Sequence, residues 1–363
     1  MSAARVVIVG GGLSGLYAAY LLERKGWHDY ALLEARETVG GRVLALSSVS
    51  ESVAASSCFD LGPTWFWPSM QPRLGELIAE LGLNTFEQYA KGDLLFERAD
   101  ERVPHRVADC FAQEGRRVLG GMSALIDALH KHVDRKRVHT GQRVCSMRAS
   151  ADGIEVVSED TIGSTRAWHA GHVLIAMPPR LASETLKFAP LLPPELSDRW
   201  QRTATWMAPH AKYLAVYEKP FWRAQGLSGE ARSARGPLAE IHDASMPGAQ
   251  GALFGFVGLP ARLRANVPAE QLRAHCRAQL KRLFGPEAGE PIAEGLKDWS
   301  IDPLTATASD LTESSIHAPS APASATAGPW QGRMTGIGSE WSHAYPGYLA
   351  GAIDAAERGV RAL

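Results

Sequence analysis

"RVVIVGGGLSGLYAAYLLERKG", Arg5–Gly26, joins a β-branched run, a cluster of glycines and a stretch of apolar residues at helical spacing. It reads as a strand over 5–10, a turn, and a helix from Ser14 to Lys25 closed by Gly26. The next apolar run, "YALLEA" (Tyr30–Ala35), reads as a second buried strand. Strand, turn, helix and strand in this order open a doubly wound α/β fold. The turn carries Gly10, Gly12 and Gly15 at G-x-G-x-x-G spacing, with Leu13 and Ser14 between them. Glycines there allow a tight turn and close approach of a pyrophosphate, and the helix start offers unpaired N–H groups and the positive end of its dipole. Glu34 ends the second strand, placed to accept hydrogen bonds from a ribose. Together they predict a bound dinucleotide.

The rest of the composition narrows the class. The chain has 363 residues, 45% hydrophobic and 21% charged, which suits an ordinary globular protein large enough for two cores. A formal net charge of −1 gives no basic field for nucleic acid. Cys58, Cys110, Cys145 and Cys276 show no CxxC spacing, so neither a metal site nor a disulfide framework is expected. Glycines interrupt the apolar N-terminal run, and no segment is long and apolar enough to span a bilayer. The expectation is a cytoplasmic chain with no membrane partner.

Further along, helical spacing marks 72–83, 122–133 and 269–284. Strands are expected at 143–147, 154–158, 167–177, 211–217 and 252–257, and a long Ala/Ser/Thr/Pro-rich loop at 305–329. In "HAKYLAVYEKPFW" (His210–Trp222), alternation puts Lys212 on one face with Leu214 and Val216. A cation in that row is either an edge-strand device against aggregation or a functional group.

The segment after the second strand continues "EARETVGGRV", from Glu34 through Ala35 and Arg36 to Gly41 and Arg42. A second glycine pair with an arginine is not part of the nicotinamide fingerprint. Here the sequence resembles the flavin-containing amine oxidase family. The likeness recurs in "FDLGPTWFWP" (Phe59–Pro68), "GGM" (Gly120–Met122), "VLIAMPP" (Val173–Pro179), "YEKPFW" and "GSEWSHAYPGYLAGAIDAAERG" (Gly338–Gly359). It implies a Rossmann-like FAD-binding domain in three pieces, 1–76, 118–185 and 328–363. A second, α+β substrate domain on a mixed or antiparallel sheet would take 77–117 and 186–327.

The same resemblance implies site roles. Glu34 would bind ribose and Arg42 would lie by the FAD phosphates, with Ala35, Arg36 and Gly41 beside them. Gly62, Pro63 and Thr64 would run under the flavin, and the Val144 backbone would contact adenine. Glu340 would meet hydroxyls such as those of ribitol. Tyr348 and Leu349 would begin a helix facing the flavin's pyrimidine oxygen, where a helix N-terminus stabilises negative charge. Lys212 would hold a water against flavin N5, with Trp299 and Tyr348 completing the catalytic set.

Two departures stand out. In "WSIDPLTATASDL" (Trp299–Leu311), Ala308 and Ser309 occupy the places of the cysteine and tyrosine of the mitochondrial enzymes. FAD should therefore be noncovalent, and the aromatic cage would be half built unless Trp65, Trp67 or another ring substitutes. Within Trp65–Phe66–Trp67, at least one ring should pack in the core while one or two line the substrate side. No arginine accompanies them to hold a substrate carboxylate, which favours an amine over an amino acid unless Arg180 or Arg223 approaches.

The reading is an FAD-dependent oxidase that turns an amine into an imine with dioxygen as acceptor. The alternatives are a same-fold oxidoreductase acting on a C–C bond or dihydropyridine, desaturase-like or renalase-like, and a non-catalytic FAD-binding protein.

Overall fold

In the computed structural model the described residues are 2–47, 58–101, 103–108, 115–312 and 319–363. Cys110 and the central part of the 305–329 loop lie outside them.

The quoted stretch builds the middle of one sheet. Strand Ser2–Val9 lies between Tyr30–Leu33 and Thr165–Ile175, parallel to both. Its side chains alternate between two cores. Val6 and Ile8 pack with helix Leu13–Arg24, whereas Val7 and Val9 pack with Trp168, Trp200 and Trp330. A strand buried on both faces explains why the sequence there is apolar without interruption. Among the described residues this sheet has eight strands, and it is assembled from distant pieces of chain. Thr165–Ile175 pairs antiparallel with Gly153–Glu159 along its first half and parallel with Met334–Gly336 at its end.

Side chains near two of the expected boundaries pack against the first sheet. The break at 76/77 falls inside helix Pro72–Glu80, whose Leu74, Leu77 and Ile78 all enter the first core. Beyond the expected break at 185/186, Lys187–Ala189 adds a strand beside Arg143–Ser150 and Trp200 packs under the same sheet. Ala321 and Ala325 belong to that core as well. A boundary follows where side chains are buried, and these stretches bury theirs against the first sheet.

The second sheet has seven strands among the described residues and is antiparallel apart from one parallel pair, Leu227–Ser233 with Asp93–Glu97. One face carries Tyr213, Ala215 and Leu253 against Leu272, Cys276 and Leu280 of helix Ala269–Phe284. The opposite face carries Leu214, Val216 and Phe254 against Phe59 and Leu61 of the first unit. The lysine strand, Ala211–Tyr217, runs between Gly251–Val257 and Ala293–Asp298. It is therefore not an edge strand, and the anti-aggregation reading of Lys212 fails. No helix among the described residues is long and apolar enough to cross a membrane.

Candidate active site

One cavity of about 860 Å³ lies between the two sheets. At one end its wall is backbone. Gly12 caps helix Leu13–Arg24 with no side-chain hydrogen bond and no acid in the first turn, leaving the helix N–H groups open. A Cβ on Gly15 would sit 1.9 Å from the Gly10 carbonyl oxygen, so helix and strand meet at a distance that only glycine allows. Glu34 is buried and accepts the Gly11 N–H at 2.6 Å and the Arg36 N–H at 2.8 Å. Its carboxylate is thus held at the second strand's end, on the cavity wall. Ala35, Arg36, Gly41 and Val144 line the same end.

Arg42 connects the turn to the C-terminal piece. Its guanidinium grips both oxygens of Glu340 and donates to the Ser339 hydroxyl at 3.2 Å. Burial opposes ionisation of both partners, but their pairing outweighs it: Glu340 is held below, and Arg42 above, its ordinary value. Arg42 lines the cavity and Glu340 lies behind it. The structure therefore gives Glu340 a different immediate contact from the expected hydroxyls. Gly15 likewise shapes the wall from behind, whereas Gly10, Gly12, Leu13 and Ser14 line it.

The other end is made of side chains. Lys212 is 3% exposed and donates to the Gly62 carbonyl at 3.0 Å and to the Thr64 hydroxyl at 2.6 Å. Its Nζ lies 3.9 Å from the Phe254 ring centroid, a favourable position for a cation. Burial pushes the ammonium's pKa down. Asp60 pulls it back up and Arg117 pushes it down again. Asp60, in turn, is raised by burial against the pull of Lys212, Arg117 and the Met122 N–H. A buried lysine with two of three donors used keeps one for a further partner.

Around Lys212, Gly62, Pro63, Thr64, Trp65 and Trp67 line the cavity, while Phe66 between the two tryptophans is buried in the first core. Strand-like alternation sorts the three rings. Trp65 is fixed by its N–H on Gln88 at 2.7 Å. Trp299 also lines the wall, under the Lys297 ammonium at 4.5 Å from its ring. Tyr348 precedes helix Leu349–Arg361 without a side-chain hydrogen bond to its open N–H groups, the first turn carries no acid, and both Tyr348 and Leu349 line the cavity.

The expected cage positions are elsewhere. Ala308 and Ser309 are exposed and do not line the cavity. The ring that meets Tyr348 is Trp206, with centroids 5.0 Å apart and planes at 45°. At that separation the rings touch, so they form one aromatic wall rather than two opposed ones. Arg180 and Arg223 are also placed away from the cavity, paired with Asp310 and Asp243.

Sequence reasoning missed Trp206, His210, Glu240, Phe256 and Arg264, all on the wall. Arg264 is committed to Asp298 at 2.8 Å. Burial, with Arg264 adding to it, lowers His210, and its Nδ1 has no partner among the described residues. Trp206 and His210 stand in an aperiodic turn that gave no signal.

The cradle fits a dinucleotide on its own geometry: glycines where a Cβ would collide, an uncapped helix start and a fixed acid. The profile of the family described as flavin containing amine oxidoreductase matches residues 13–108 and 89–363. The chain belongs to this family. The similarity is broad but distant. A putrescine oxidase of Kocuria rosea is 26% identical over 83% of this chain and 83% of that protein. A probable flavin-containing monoamine oxidase A of Dictyostelium discoideum is 24% identical over 81% and 83%. A solved putrescine oxidase with putrescine bound shares the fold at a TM-score of 0.77 and 22% identity, covering 99% of this chain and 98% of that one.

As a flavin-containing amine oxidoreductase the chain is an FAD-dependent enzyme with the α/β fold read from its first 35 residues. Within the family frame the glycine turn, Glu34 and Arg42 are the residues that would hold FAD, and the Lys212–Tyr348 end is left for chemistry. Among the described residues no cysteine lines the cavity, and no group of three or more His, Cys, Asp or Glu is arranged to hold a metal.

Proposed function

We propose that this enzyme oxidises an amine at its C–N bond, yielding an imine that water hydrolyses, with dioxygen as the electron acceptor and peroxide as its product. FAD, held without a covalent bond, supplies the redox chemistry by accepting the hydride equivalent from the substrate's α-carbon. The observation that carries the reading is Lys212, a cation inside a sheet, on the wall of the cavity that begins at the glycine cradle.

The chain's own residues have three tasks. Gly62 and Thr64 hold the Lys212 ammonium, so its remaining N–H can fix a water near the reacting carbon. Trp65, Trp67, Trp299 and the Tyr348–Trp206 wall exclude bulk water and orient the hydrocarbon part of the amine. The uncapped start of helix Leu349–Arg361 favours negative charge next to it. An amine rather than an amino acid is supported by the commitments of Arg36, Arg42 and Arg264 to Asp302, Glu340 and Asp298. None of these three guanidiniums is left to greet a carboxylate.

The test is to mix the yellow protein anaerobically with amines, amino acids and reduced nicotinamides while following flavin bleaching. Bleaching by amines is the expected result. Reduction by nicotinamides alone, or by nothing in the panel, overturns the reading.

A further inference from the structure

Apart from Glu34 at the cradle end, Glu240 is the only carboxylate among the described residues that lines the cavity. Its position relative to Lys212 is fixed by the sheet. Lys212 pairs with Phe256, and Phe256 pairs with Glu240 on the next strand, Leu238–Asp243. Directly paired residues share a face, so the three side chains form one row. Two strand spacings separate lysine from glutamate, roughly 10 Å between backbones. Phe256 supplies an apolar step between them.

The carboxylate is built into place. His242, fully buried, meets Oε1 at 2.6 Å through Nε2, and its Nδ1 faces Glu230 at 3.2 Å. Trp65, on the cavity wall, lies edge-to-face on the His242 ring at 4.8 Å. Arg232 pairs with the other oxygen, Oε2. Burial alone would raise Glu240, but His242 and Arg232 more than offset it and hold the acid at about 2. It is ionised at any working pH. Glu230 and Glu240 share the His242 ring, Arg232 pairs with Glu240 alone, and a carboxylate accepts about four hydrogen bonds. Arg232 itself is 44% exposed and does not line the cavity, and an exposed ion pair is weak and screened by salt.

We propose that Glu240 is the docking point for a second ammonium on the substrate, and that Arg232 is its resident competitor. The substrate class is then an α,ω-diamine or polyamine. One amine reaches the Lys212 end for oxidation, the methylene chain crosses Phe256, and the distal –NH3⁺ takes over the Glu240 oxygen that Arg232 holds in the free enzyme. The inference rests on the amine-oxidation reading and adds the length and charge of the substrate.

The experiment uses the holoenzyme under anaerobic stopped flow. Dissociation constants are measured for a homologous series of α,ω-diaminoalkanes and for n-alkylamines of matching length. The wild type should show an optimal diamine length and bind that diamine at least about tenfold tighter than the matching monoamine. Glu240→Gln should erase this ratio, and Glu240→Asp should move the optimum to a longer diamine, since the carboxylate is withdrawn by one methylene. Arg232→Gln should tighten diamine binding by about threefold at low salt. A merely structural Glu240 would shift no length optimum and would give Arg232→Gln the same sign as Glu240→Gln. Monoamines that bind as tightly as diamines overturn the inference while leaving amine oxidation standing. If no amine of either series reduces the flavin, both fall.

Discussion

At the Glu34 end of the cavity, recognition is done by backbone: glycines, a helix start and one acid that anchors two N–H groups of its own turn. At the Lys212 end it is done by side chains that meet across strands, lysine over Phe254, tryptophan on histidine, histidine between two glutamates. The first end suits a feature common to every dinucleotide, its pyrophosphate. The second reads whatever amine the chain has come to take. A backbone site is rigid and unforgiving of a single methyl group. A side-chain site can change its preference by one substitution and leave the fold intact.

That contrast can be broken first at Gly15. Gly15→Ala should cost more than about 3 kcal/mol of stability, because its Cβ would overlap the Gly10 carbonyl at 1.9 Å and strand and helix must part. Denaturant unfolding and FAD retention measure it, and a variant that keeps its cofactor and midpoint would show that the cradle is softer than described. Lys212→Met comes next in size. FAD should stay bound while flavin reoxidation slows by more than about tenfold, or about 1.4 kcal/mol.

The pH profile sharpens the same point. Because burial lowers Lys212, its positive charge disappears below the ordinary lysine value of about 10.4. Reoxidation by wild type should therefore fall as pH rises through that depressed value, and the methionine variant should lack this limb. Two parallel profiles would remove Lys212 from the chemistry. Smallest of all is Ser309→Ala. The hydroxyl is exposed and away from the cavity, so steady-state amine kinetics should stay within twofold and stability within about 0.5 kcal/mol. A large effect would mean that the turn at 309 reaches the site after all.

How much of this was legible in advance follows the same division. The cradle was readable because its constraints are local: glycine spacing, flanking strand and helix, and an acid at a set distance all lie within 35 residues. The alternation of Trp65, Phe66 and Trp67 and the helix at 269–284 are local too. Lys212 could be placed on a face but not in a sheet, since only pairing with Gly251–Val257 and Ala293–Asp298 shows that the strand is interior. Glu240 had no signal of its own. In "LAEIHD" it is one acid on a short strand, and its place opposite Lys212 depends on a register two strands away. Trp200 poses a related problem, because it looks the same in sequence whichever sheet it packs beneath.

The way the first sheet is threaded also bears on how the enzyme comes into being. Strand Ser2–Val9 takes one neighbour, Thr165–Ile175, from far along the chain, and that strand takes Met334–Gly336 from farther still. Arg42 likewise waits for Glu340. Enclosure of the cradle therefore depends on contacts of long sequence separation, which form slowly. A complete cradle exists only once segments from distant parts of the chain have met.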